Sequence, residues 1–200
     1  MRNYIAIILL LIAAHINAAQ PSVNKNYIER ELRYHPNGDD FVIVNGKNRF
    51  NRALYGTNNA FRIETGDMPE FGLFMPNMGG NIQMGIVSGS KSLWLNDAEY
   101  IQSIYRAGSR IYEIKDPILG TGKLIITVLA IFDAEGLIIK IEQENIPDGL
   151  KLITTYGGAN NARFFRNGDL GVDDPEVFSL KPEACKGNIF SINKETFKLE

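Results

Sequence analysis

Apolar and polar residues alternate with a period of two along most of this chain, and Gly, Pro, Asn and Asp break the alternation at short intervals. That punctuation predicts an all-β fold, an antiparallel β-sandwich with little helix. Phe41 to Val44 runs into Asn45-Gly46, a dipeptide suited to the two positive φ angles of a tight hairpin turn, and Arg49 to Tyr55 is expected to return as its partner. Phe61-Arg62-Ile63-Glu64 alternates again, and a turn over Thr65 to Glu70 leads into Phe71 to Met75. Further strands are expected over Asn81 to Val87, Ser92 to Leu95, Ser109 to Lys115, Lys123 to Phe132, Leu137 to Glu144 and Leu150 to Tyr156. Asn96 to Ala107 fits a strand, although Ile101, Ile104 and Tyr105 also fit a short amphipathic helix. Thr196 to Glu200 reads as a last strand.

Lys123 to Phe132 differs from the rest. Leu124, Ile126, Val128, Ala130 and Phe132 point one way, and Ile125, Thr127, Leu129 and Ile131 point the other. Both faces want burial, whereas a two-layer sandwich covers only one. A neighbouring layer, a helix or a partner domain is expected over the second.

Met1 to Ala19 has the pattern of a secretory signal: Arg2, an apolar stretch from Tyr4 to Ala14, and small residues at Ala18-Ala19. The mature chain is therefore expected as one domain over 20–200, periplasmic or extracellular. His15 and Asn17 cut the apolar run short of the ~20 residues a membrane span needs, and Cys185, the single cysteine, is far from the cleavage site, so no membrane or lipid anchor is expected. Losing Arg2 takes the 21 basic side chains to 20 against 23 acidic ones, a net charge of −3. Such a balance gives no electrostatic footprint for nucleic acid. One cysteine also forbids an internal disulfide.

The mature chain has one histidine, His35, and one cysteine, so neither a Cys/His zinc cluster nor a multi-histidine centre is available. His35 stands beside Pro36-Asn37-Gly38 and reads as an exposed turn residue, with no Gly-x-Ser-x-Gly elbow to supply a serine. Gly120-Thr121-Gly122-Lys123 lacks the spacing of a phosphate loop, and Ser88-Gly89-Ser90-Lys91 lacks the companion elements of the acyl-serine enzymes. Both read as turns. Paired carboxylates across a groove could hydrolyse glycosides. Glu142 and Glu144 share a strand face with Lys140 and read as a solvated surface, whereas Glu64, Asp67 and Glu70, with Arg62 and three phenylalanines nearby, are candidates for a catalytic or sugar-binding edge.

Trp94 is expected to face away from Leu93 and Leu95, and beside Tyr100 it is a candidate plate for a sugar ring, with packing under a loop as the plainer alternative. A long irregular segment is expected from Gly157 to about Lys186. Within it Arg163 and Arg166 are candidates to clamp a carboxylate, or to pair with the neighbouring acidic run. Asp169, Asp173 and Asp174 are candidate calcium ligands, though their spacing is not the helix-loop-helix calcium pattern. No other cofactor is expected.

Arg33-Tyr34-His35-Pro36, Phe50 to Gly56, Phe61 to Phe71, Tyr156-Gly157-Gly158 and Lys181-Pro182-Glu183 together are the wording of a recognisable family. From about Arg33 to Phe197 the chain resembles a domain-of-unknown-function family that forms the N-terminal β-sandwich of large exported proteins in polysaccharide-degrading bacteria, ahead of an (α/α)-barrel of the six-hairpin glycosidase type. The resemblance implies a supersandwich-like fold and a carbohydrate setting. It also implies that the catalytic carboxylates belong to the helical barrel, which has no counterpart in this sequence. An accessory, non-catalytic β domain that packs on a partner helical-barrel domain or meets glycan is the expectation. The alternatives are a glycoside hydrolase using Glu64, Asp67 and Glu70, and a scaffold that contacts only protein.

Overall fold

The computed structural model describes residues 31–56, 60–76, 78–160, 189–194 and 196–199. The proposed leader, Arg163, Arg166, Asp169, Asp173, Asp174 and Cys185 lie outside them. Within the unit Arg33–Glu200 the described strands are β1 His35–Asn37, β2 Asp40–Val44, β3 Arg52–Leu54, β4 Arg62–Thr65, β5 Glu70–Met75, β6 Met78–Ser88, β7 Lys91–Trp94, β8 Tyr100–Arg106, β9 Ser109–Lys115, β10 Lys123–Ala130, β11 Leu137–Glu144, β12 Lys151–Asn160, β13 Phe190–Asn193 and β14 Thr196–Leu199. One six-stranded antiparallel sheet runs β1-β2-β8-β9-β10-β11. The second runs β12-β6-β5-β4-β3, with β7 also pairing with β6, and neither closes into a barrel. β13 and β14 form a separate hairpin. The all-β sandwich expected from the alternation is the fold observed.

One core lies between the sheets. Ile63, Phe71, Met84 and Ile86 of the second sheet meet Ile101, Tyr112, Ile114, Leu124, Ile126 and Val128 of the first, with Leu54, Leu95 and Leu119 closing the ends. At roughly 25 cal/mol per Å² of apolar surface, each such side chain contributes about 1.5–3 kcal/mol. Turn chemistry sets the hairpins. Gly108 takes φ 81° between β8 and β9, and Gly89 takes φ 59° between β6 and β7, conformations that Cβ-bearing residues resist. The Ser88 to Lys91 and Gly120 to Lys123 stretches are turns, as their sequences indicate.

The expected β2–β3 hairpin does not form. Asn45 does adopt positive φ (51°), yet β2 pairs with β1 and β8, and β3 pairs with β4. Asn45 is held by β8 instead: its Oδ1 accepts from the Ile101 N–H at 2.9 Å, its Nδ2 donates to the Glu99 carbonyl at 3.1 Å, and its own N–H donates to the Ile101 carbonyl at 2.8 Å. Gly46 serves a close approach, because a Cβ there would lie 2.5 Å from the Asp67 carboxylate. Residues Asn96 to Ala107 resolve into a 3-10 turn, Leu95–Asp97, followed by β8. Likewise Gly157 to Asn160, expected to be irregular, extends β12 against Met78 to Asn81 of β6.

Leu124, Ile126 and Val128 of β10 are buried as expected, while on the opposite face Ile125 is half-buried and Leu129 exposed. The second sheet reverses this arrangement. Arg62, Glu64, Glu70, Phe74 and Asn81 lie on the face turned away from the shared core, yet all five are buried. Trp94 and Ile153, both opposite Gly85, belong to that same outer face.

Candidate functional site

Two of the three candidate carboxylates turn out to be the anchors of a buried polar cluster. Pro69 and Gly66 bend the chain between β4 and β5, and Asp67 points inward from the bend with no solvent exposure. Its Oδ2 accepts from Arg33 Nη2 at 2.6 Å and from the Asn48 N–H at 2.9 Å. Oδ1 accepts from Asn51 Nδ2 at 2.8 Å and from the Tyr34 hydroxyl, which in turn accepts from Arg110 Nη2. Arg110, fully buried, stands 3.8 Å from Asp67.

The adjacent Gly66 carbonyl is the meeting point of the two sheets. It accepts from Arg110 through Nε at 3.0 Å and Nη2 at 2.6 Å, from the Tyr112 hydroxyl at 3.0 Å and from the Ser103 hydroxyl at 3.3 Å. Three strand side chains of the first sheet thus converge on one turn of the second. Burial raises the Tyr112 phenol well above its ordinary range, so it stays a donor.

Glu70 is bound as tightly. Arg49 donates to both of its oxygens, Asn81 Nδ2 donates at 2.5 Å and Asn96 Nδ2 at 3.0 Å. Glu64 pairs with Arg62, whose guanidinium lies 3.9 Å from the Phe74 ring centroid. For Asp67 and Glu70 burial works to raise the pKa, but the hydrogen bonds and arginines outweigh it and hold both carboxyls below their ordinary values. A general acid in glycoside hydrolysis needs the opposite shift. Here the carboxylates serve as ionised acceptors that fix loops.

That chemistry sets a pH dependence. Both groups bind protons less readily folded than unfolded, so their stabilisation is complete above the unfolded pKa values, 3.8 for Asp and 4.5 for Glu, and is lost as pH falls through the lower folded values. The melting temperature is expected to hold from neutral pH to about pH 5 and to drop steeply below about pH 4. A melting temperature unchanged between pH 7 and pH 3 would contradict the assignment.

Trp94 is different in kind. It is 41 % exposed at the end of β7 and, with Ser92, Leu93, Asp97 and Ile153, lines a surface recess of about 240 Å³. Gly85 runs beneath it: a Cβ there would lie 3.1 Å from the indole and 3.2 Å from Ile153. Tyr100 does not join this recess. It sits on the other sheet, donating to Gln102 Oε1 at 2.7 Å beneath the Lys115 ammonium, 4.9 Å from the ring centroid. Glu142 and Glu144 are surface residues, paired with Lys140 at 2.8 Å and Lys123 at 3.4 Å. His35 is exposed on β1. Among the described residues no group of three metal-ligating side chains comes together.

Residues 75–200 match the model of a family described as Domain of unknown function (DUF4450). The chain belongs to this DUF4450 family. No curated protein and no solved structure matches it. The DUF4450 match includes Trp94, Asp97, Ile153 and the β9 residues Arg110 and Tyr112, while Asp67 and Glu70 precede it. Among the described residues no helix is long and apolar enough to cross a membrane.

Sequence patterning passed over Tyr34, Asn51, Asn96 and Arg110. For Arg110 the signal was present: it alternates in phase with Tyr112 and Ile114, the inward residues of β9, and a cation on an inward face needs a buried acceptor.

Proposed function

We propose that this chain is an accessory, non-catalytic β domain of an exported carbohydrate-degrading system, and that it meets glycan through the Trp94 recess. The contrast between the two groups of residues supports the reading. Asp67 and Glu70 are buried and each accepts several hydrogen bonds, whereas the indole lies open beside a hydroxyl and a carboxylate. Ser92 and Asp97 offer hydrogen-bonding groups at the rim of an apolar floor made by Trp94 and Ile153. A flat aromatic face takes the C–H face of a sugar ring without directional demands, and the polar pair would orient its hydroxyls. The recess falls below the ~300 Å³ of an ordinary ligand pocket, so a single ring is the expected occupant and binding should be weak. The resemblance to domains preceding six-hairpin barrels supplies the carbohydrate setting, and the half-exposed outer face of β10, with Ile125 and Leu129, agrees with a helical partner domain there.

Electrophoresis of the mature protein through gels carrying plant-wall and host polysaccharides tests the glycan contact. Trp94→Ala is expected to abolish retardation in the gel that retains wild type while moving the melting temperature only a few degrees, since the side chain is half in solvent. Retention equal in wild type and variant would remove the recess from the function. A variant that unfolds would make Trp94 a packing residue.

A further inference from the structure

β11 ends the first sheet. It pairs with β10 along its whole length, from Lys123 opposite Glu144 to Ala130 opposite Leu137, and no described strand lies on its other side. Its sequence, LIIKIEQE, has neither proline nor glycine to blunt the edge. Ile138 and Ile141 are exposed on opposite faces of it. An eight-residue edge of this kind presents a row of backbone donors and acceptors suited to another strand. The opposite end of the sheet, β1, has only three residues.

We propose that β11 pairs antiparallel with β11 of a second copy of this chain, joining the two sheets across a two-fold axis at Ile141. The pleat restricts the register. Ile138, Lys140, Glu142 and Glu144 point to the outer face, and Leu137, Ile139, Ile141 and Gln143 to the core face. A two-fold axis perpendicular to the sheet keeps faces matched only when it passes through a residue. Centred on Lys140 or Glu142, it sets like charges against each other. Centred on Ile139, it shortens the overlap and forms no pair of opposite charges. On Ile141, each Lys140 faces Glu142 of the other copy, Ile139 faces Gln143, Ile138 faces Glu144, and Ile141 packs on its twin. Lys140 already lies 2.8 Å from its own Glu142. The dimer therefore closes a ring of four charges, alternating in sign, around the axis, and covers the exposed Ile141.

Sedimentation equilibrium of the mature chain over a range of concentrations tests the pairing. Wild type is expected to show a reversible monomer–dimer equilibrium. Lys140→Glu places four carboxylates around the axis and is expected to weaken association roughly tenfold or more, because opposed like charges destabilise a strand pair and the symmetry counts the change twice. The side chain is 63 % exposed, so folding should be untouched. The exchange Lys140→Glu with Glu142→Lys restores the alternation and should restore the dimer. Ile141→Lys, which sets two ammonium groups on the axis, should give monomer. A wild type monomeric at every concentration overturns the proposal. So does a dimer indifferent to Lys140→Glu and Ile141→Lys, or one that the charge exchange does not rescue.

Discussion

Asp67→Ala is expected to lower the stability of the domain by about 3–5 kcal/mol, the usual cost of removing one member of a buried ion pair. For a domain of this size that corresponds to a fall of roughly 10 °C or more in melting temperature. The cause is what the substitution leaves behind. Arg110 has no solvent exposure, its Nη1 has no hydrogen-bond partner among the described residues, and Asp67 is the carboxylate 3.8 Å from it. Tyr34 and Asn51 would lose their acceptor as well, and the Arg33-Tyr34 segment its tether. Urea denaturation followed by tryptophan fluorescence measures the effect. A loss below about 1 kcal/mol, the level of an exposed pair, would mean that the donors find other acceptors and that the cluster does not hold the turn.

Gly66→Ala should be more damaging still, and the expected outcome is no soluble folded protein. A Cβ at this position would lie 1.9 Å from the Arg49 carbonyl oxygen, 2.3 Å from its carbon and 2.4 Å from the Asn48 carbonyl oxygen. All three are backbone atoms, so no rotamer change relieves the overlap. Moving the turn aside would pull the Gly66 carbonyl from Arg110, Tyr112 and Ser103 together. Gly108→Ala is the matched control: its Cβ meets nothing within 4 Å and only the φ of 81° resists it, a cost of about 1–2 kcal/mol. Equal yields of the two variants would refute the account of Gly66. Because Gly66 and Asp67 serve one network, their effects with Arg110 substitutions should not add.

The sheet order was beyond the reach of the sequence, while the strands were plain in it. Ser109 to Lys115 and Leu137 to Glu144 are observed with the bounds expected of them. Asn45-Gly46 misled because a positive φ answers two different needs, a hairpin and a docked asparagine, and the deciding partners, Glu99 and Ile101, lie more than fifty residues on. The candidate site shows the same limit. Clustering of Glu64, Asp67 and Glu70 marked a chemically dense region, but the arginines and asparagines that occupy the oxygens of Asp67 and Glu70 come from elsewhere in the chain. Trp94 needed only its two leucine neighbours to be placed facing outward, and it does.

The two sheets are interleaved along the chain. β3 to β7 build one sheet while β2 waits for β8, and the Asp40–Arg106 and Tyr34–Arg110 contacts close loops of 66 and 76 residues. Synthesis delivers the N-terminus first, so β1 and β2 emerge well before any strand they can pair with beyond each other. Contacts that distant make folding slow. A nascent chain should thus stay open until β10 and β11 have left the ribosome, and stalled fragments ending before Ser109 should be protease-sensitive throughout rather than carry a protected N-terminal half.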